Sequence, residues 1–77
     1  MGLTLVTGAG CHLCEHGRET LGALGVSYRE VDVLSAEAAD LAAQGVPLAF
    51  LPVLADGTRV VAYGRLSQRR LRKELGL

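Results

Sequence analysis

No tryptophan occurs in the sequence, and its only aromatic side chains are one phenylalanine and two tyrosines. That is too little for a platform on which nucleic-acid bases stack. Charge of one sign is not in excess either: eight Lys plus Arg balance eight Asp plus Glu. A module held to phosphates needs a basic surface, so nucleic acid is not an expected partner. Two cysteines in 77 residues cannot staple a disulfide-rich mini-protein, nor close a four-cysteine zinc module. Missing too is an apolar run of the ~18 residues that suggest a membrane helix. Met1 to Gly10 carries neither the basic residues nor the apolar stretch of a signal peptide. Gly2 does not open a myristoylation motif, because Val6 stands where Ser or Thr belongs. The expected location is therefore the cytoplasm. Thiols stay reduced there, and two cysteines are expected to be reactive or metal-bound rather than structural.

What is present is a globular composition, 49% hydrophobic and 21% charged, which separates the chain from disordered sequences. Its length predicts one domain over residues 1–77 with a small, single core. Leu3 to Thr7 is short, β-branched and bounded by glycines, and reads as a strand. Gly8-Ala9-Gly10 is a loop. From His12 to Leu24, spacings of three and four place Cys14, Gly17, Leu21 and Leu24 on one helical face, and Gly25 suits the helix end. Alternation predicts a second strand over Ser27 to Asp32. Ser35 is an N-cap for a second helix that Gly45 and Pro47 terminate. Asp56-Gly57 joins the apolar segment before it to Arg59 to Ala62 as a hairpin. After Gly64, Ser67 caps a last helix with Leu71 and Leu75 four apart. The order β-α-β-α-β-β-α predicts an α/β fold with a mixed four-stranded sheet flanked by helices. Charge is uneven along this order. Arg59, Arg65, Arg69, Arg70, Arg72 and Lys73 crowd the end, and most acids precede Gly57.

Cys11-His12-Leu13-Cys14 is the motif that carries chemistry. It falls where the first loop opens into the first helix. That turn offers unpaired backbone N–H groups and the positive end of the helix dipole, and both favour thiolate over thiol. Cys11 is the expected nucleophile. Cys14, one turn further on the inward face, is the expected resolving thiol that displaces a mixed disulfide. A Cys-x-x-Cys beside a βαβ pattern reads as a redox motif. A zinc site of Cys11, Cys14, His12 and His16 is the rival, but four ligands from six consecutive residues would distort the helix start, and no second ligand cluster closes the shell. The expectation is no metal. His16 reads as a solvated helix residue, and His12 as a residue whose charge tunes the cysteines. The glycines of the first loop do not complete a dinucleotide fingerprint, because Leu13 occupies the place of its last glycine.

On these residues the sequence resembles glutaredoxin-like proteins of the thioredoxin superfamily, and in particular the small bacterial domains with a Cys-His-Leu-Cys motif. The resemblance runs from Leu3 to Cys14, through Leu51-Pro52-Val53-Leu54 with Asp56-Gly57, to Gly64-Arg65-Leu66 and the last helix. It implies the thioredoxin fold and a thiol–disulfide oxidoreductase cycling between the dithiol and a Cys11–Cys14 disulfide. It also implies a cis Leu51–Pro52 bond beside the cysteines. There the backbone of Leu51 pairs with a peptide or glutathione, with His12, Leu13, Pro52, Gly64 and Arg65 around it. Val46-Pro47 competes for the cis position, and Pro52 is preferred because the hairpin follows it at once. The implied substrates are protein or small-molecule disulfides. Glutathione as co-substrate, or a thioredoxin reductase, supplies electrons to a monomer with no tightly bound cofactor. Three departures concern glutathione. Gly8 and Ala9 replace the usual lysine, Tyr63 to Ser67 lacks the usual acidic pair, and His12 and Leu13 replace a Pro-Tyr pair. A metal-binding module and a redox-sensing adaptor that docks through the basic last helix are the alternative readings.

Overall fold

The computed structural model describes residues 2–77, with elements in the order β1 Leu3–Thr7, α1 His12–Leu24, β2 Arg29–Asp32, α2 Ala36–Ala43, β3 Val53–Asp56, β4 Arg59–Tyr63 and α3 Gln68–Leu75. The sheet order is β2-β1-β3-β4. β1 and β2 are parallel, and β1–β3 and β3–β4 are antiparallel. This is the expected mixed four-stranded sheet, with the βαβ unit on one side and the hairpin on the other.

β2 is two residues shorter than the alternation predicts. The chain leaves α1 through Gly25 in the left-handed conformation, and the Val26 N–H returns to the Leu21 carbonyl. This helix-ending turn carries Ser27 and Tyr28 past the sheet before pairing starts at Thr4 with Arg29. The core also differs from expectation, because the sheet divides it. One cluster joins Leu5, Leu54 and Ala62 to Leu21 of α1, Leu71 of α3 and Leu66 between β4 and α3. The other joins Val6, Val31 and Val53 to Ala38 of α2 and to Val46. Alternate residues of a strand point to opposite faces, so Leu5 and Val6 belong to different clusters. β4 departs from this rule at one place. Its register against β3 skips Val61, and Val61 and Ala62 both enter the first cluster. A bulge of this kind adds one residue and bends the strand.

Serine side chains start two of the helices. Ser35 Oγ accepts from the Ala38 N–H at 3.2 Å, and Ser67 Oγ from the Arg70 N–H at 3.1 Å. The remaining helix, α1, is capped by a cysteine.

Candidate functional site

Cys11 occupies the N-cap of α1, and its Sγ accepts the Cys14 N–H at 3.1 Å. An N-cap side chain normally contributes an oxygen to this bond; here sulfur takes that place. Gly10, left-handed at φ +68°, turns the loop so that the cap can form, a conformation that costs glycine little. Cys11 is half-buried, Cys14 is fully buried one turn below it, and both thiols are free. Burial pushes the Cys14 thiol up, and its hydrogen bond with Cys11 adds to this. A backbone hydrogen bond with Gly8 and the Arg18 guanidinium act in the opposite direction.

The Leu51–Pro52 peptide bond is cis, so of the two prolines it is Pro52 and not Pro47 that takes this form. Close approaches hold this turn against the cysteine segment from both ends. A Cβ placed on Gly8 would come within 2.9 Å of Leu51 Cδ1, and one on Gly17 within 3.2 Å of Pro52 Cγ. Leu51 therefore rests on the loop before Cys11, and Pro52 on the helix turn after Cys14. Gly64, also left-handed, ties β4 to the same turn by donating its N–H to the Pro52 carbonyl at 2.9 Å. Among the described residues neither the N–H nor the C=O of Leu51 has a hydrogen-bond partner. The remaining residues of the sequence expectation lie around this centre. His12 and Leu13 are exposed in the first turn of α1, Pro52 is buried, and Arg65 is exposed after Gly64.

His16 departs from expectation. It is half-buried, its Nε2 lies 3.0 Å from the Leu66 carbonyl oxygen, and the buried Thr20 hydroxyl donates to the same oxygen at 3.4 Å. His16 Nε2 thus ties α1 to the segment before α3. Among the described residues no group of three or more metal-ligating side chains assembles.

Two further features were not read from the sequence. Phe50 and Tyr63 stack with ring centroids 6.2 Å apart while remaining exposed, and with Pro47 and Ala49 they line a shallow cavity beside the Leu51–Pro52 turn. The cross-strand pairing of Val53 with Tyr63 brings the two rings together, and Tyr63 has no partner at helical or strand spacing in the sequence to announce it. Arg18 bonds Glu30 through Nε and a terminal nitrogen, at 2.7 to 3.0 Å, and Thr7 donates its hydroxyl to Glu30 at 2.9 Å. Arg18, and after it Thr7, hold the Glu30 carboxyl below the usual carboxylate range, against the partial burial that pushes it up. A lowered folded-state value stabilises the fold above the unfolded value of about 4.3 and ceases to do so as pH falls through the folded value. Glu30→Gln is accordingly expected to lower stability at pH 7 by up to about 1 kcal/mol, as partly exposed ion pairs do. At pH 2 the variant and the parent should converge. Urea unfolding at the two pH values measures both.

The sheet order, the cysteine-capped α1 and the cis-proline turn facing it define a glutaredoxin-like protein of the thioredoxin superfamily. Residues 5–64 match the family described as glutathione S-transferase, N-terminal domain, and the chain belongs to that family. Among solved structures it is similar to Northeast Structural Genomics target protein XcR50 from X. campestris. The two are 28% identical with a TM-score of 0.72, and the match covers 97% of this chain and 96% of that one. No curated protein matches the chain.

Proposed function

We propose that the chain is a thiol–disulfide oxidoreductase with Cys11 as nucleophile and Cys14 as resolving thiol. The observation that carries this is the cap itself: the half-buried Cys11 Sγ accepts the Cys14 N–H at the start of α1. A thiolate there is met by a hydrogen-bond donor and by the positive end of the helix dipole. In the cycle, the Cys11 thiolate attacks one sulfur of a substrate disulfide and forms a mixed disulfide. The other substrate sulfur leaves as a thiolate and takes a proton. Cys14, deprotonated, then attacks Cys11 Sγ and releases the second substrate thiol. Two electrons have passed from the dithiol to the substrate, and Cys11–Cys14 is now a disulfide. Two glutathione molecules, or a thioredoxin reductase, return them. No tightly bound cofactor takes part, and the reducing cytoplasm suits the cycle.

The surrounding residues supply the groove. The unpaired N–H and C=O of Leu51 can receive an extended substrate backbone as an added strand. His12 and Leu13 in the first turn of α1, Pro52, and Gly64 and Arg65 after β4 are the residues assigned to bind it. Arg65 can meet a carboxylate, including that of glutathione. Membership of a glutathione S-transferase domain family supports glutathione as co-substrate.

Alkylation followed by mass spectrometry tests the assignment. Iodoacetamide at pH 7 to 8 should modify Cys11 and leave the buried, upward-shifted Cys14 untouched until the protein is unfolded. The wild-type protein should reduce a small disulfide with glutathione or a thioredoxin reductase as donor. Faster labelling of Cys14 than of Cys11, or inactivity with both donors, refutes the reading.

A further inference from the structure

We propose that the cationic surface from Arg65 along α3 docks an acidic polypeptide, so that the disulfide substrate is a protein with acidic residues near its reactive cysteine. This rests on the oxidoreductase reading and adds the substrate class.

The ion pairs among the described residues use Arg18, Arg29 and Arg59. Arg65, Arg69, Arg70, Arg72 and Lys73 are exposed and have no acidic partner within ion-pair distance. The neutral total therefore conceals one surface on which these five cations stand against a single acid, Glu74. Two of them oppose the helix they occupy, whereas Arg72 and Lys73 lie in its last turn, where positive charge suits the dipole. Ser67 is the N-cap of α3, which makes Arg69 and Arg70 its second and third residues, and no acid lies in that first turn. Positive charge there opposes the helix dipole. Arg69 and Lys73, four apart on the outer face, repel each other. α3 buries only Leu71 completely, so core packing does not require these side chains. Arg69 and Arg70, which oppose their own helix and pair with nothing inside the chain, are explained by a partner outside it.

The surface also begins at the site. Leu66, which joins Arg65 to the Ser67 cap, receives His16 on its carbonyl, and its Cδ1 would lie 3.1 Å from a Cβ on Gly17. The first turn of α3 thus sits beside the helix that carries the cysteines. Eight helical residues extend for about 12 Å, the length of three or four residues of extended chain. This exceeds one small anion and fits a short acidic segment. The start of the surface, Arg65, follows Gly64, whose N–H bonds the Pro52 carbonyl, so such a segment could continue towards the cis-proline turn.

The test compares three disulfide-linked peptides that share a core and carry Asp/Glu, Ser/Gly or Lys/Arg flanks. The acidic peptide should be reduced with a kcat/KM about tenfold above the neutral one at low salt, consistent with several weak exposed ion pairs. The preference should shrink towards unity at 0.5 M salt, where screening is short-ranged. Arg69→Glu/Arg70→Glu/Lys73→Glu should abolish or invert the preference while retaining reduction of bis(2-hydroxyethyl) disulfide. The variant should still fold, because all three positions are exposed and acids at 69 and 70 in the first turn agree with the helix dipole, offsetting the opposed charge at 73. Equal kcat/KM for all three peptides overturns the proposal. A separate binding measurement uses the same peptides with Ser in place of Cys. Salt-sensitive binding of the acidic one, lost in the variant, sustains the surface even if no disulfide is reduced, in which case the oxidoreductase reading alone fails. Binding of a dT12 oligonucleotide or of anionic vesicles as tightly as the acidic peptide overturns it.

Discussion

Cys11→Ser is expected to reduce disulfide-reductase activity to the uncatalysed background, whereas Cys14→Ser is expected to stop the reaction one step later and leave Cys11 joined to the substrate. The two outcomes differ because the two sulfurs differ in place. Cys11 Sγ is half-buried at the helix start and accepts a backbone N–H; Cys14 is fully buried beneath it. A serine at position 11 can still cap α1, and serine is among the preferred N-cap residues. The fold should survive the change, and the loss should be chemical. Without the Cys11 sulfur no mixed disulfide forms, since a hydroxyl at neutral pH does not replace a thiolate in exchange. In Cys14→Ser the first attack proceeds, and mass spectrometry should find the substrate thiol retained on Cys11. Added glutathione then separates two mechanisms. Turnover restored by glutathione identifies it as able to resolve the mixed disulfide, and a persistent adduct identifies Cys14 as the sole resolving group. The upward shift of Cys14 by burial adds a pH dependence. Resolution in the wild type should quicken as pH rises above neutrality, because the attacking form is the thiolate. An active Cys11→Ser would remove the proposed role of Cys11 altogether.

The fold was legible wherever local signals agreed. The hairpin at Asp56-Gly57, the serine caps at 35 and 67 and the glycine ending the first helix all stand where sequence places them. The cysteine pair was legible because its spacing and the helix start coincide. Boundaries set by tertiary pairing were not. Ser27 and Tyr28 alternate correctly, yet pairing with β1 begins only at Arg29, opposite Thr4. The role of His16 was hidden for a similar reason. Its partner is a backbone carbonyl 50 residues away, and a carbonyl has no sequence signature. The expectation of a single core failed because length limits how much surface is buried, while the sheet decides how that surface is divided.

Gly17→Val should destabilise the protein by about 2 kcal/mol and disturb the site, although the substitution replaces a poor helix former in the middle of α1. Propensity alone favours valine over glycine by a few tenths of a kcal/mol. Packing opposes it. A Cβ at position 17 would meet Leu66 Cδ1 at 3.1 Å and Pro52 Cγ at 3.2 Å, and Gly17 is already buried. Overfilling a packed core typically costs about 1–3 kcal/mol, and valine adds two further methyl groups to a contact that is tight for one. In a domain of this size that loss should lower the unfolding midpoint by roughly 10 °C. Gly17→Ala separates the two effects. Its propensity gain of about 1 kcal/mol should offset much of the clash, leaving stability within about 1 kcal/mol of wild type. The distribution of damage is also specific. Pro52 and Leu66 are the neighbours that must move, and they anchor the cis-proline turn and the approach to α3. Activity should therefore fall in Gly17→Val even at temperatures where the protein remains folded. A double-mutant cycle with Leu66→Ala decides whether this contact is the cause. Leu66→Ala alone should cost about 2–5 kcal/mol as a buried truncation, but it vacates the space that valine needs. The combined loss should then be smaller than the sum of the two single losses, by an interaction energy above the ~0.5 kcal/mol scatter of independent sites. Strict additivity, measured by urea unfolding with unchanged m values, would show that Gly17 is not confined by Leu66.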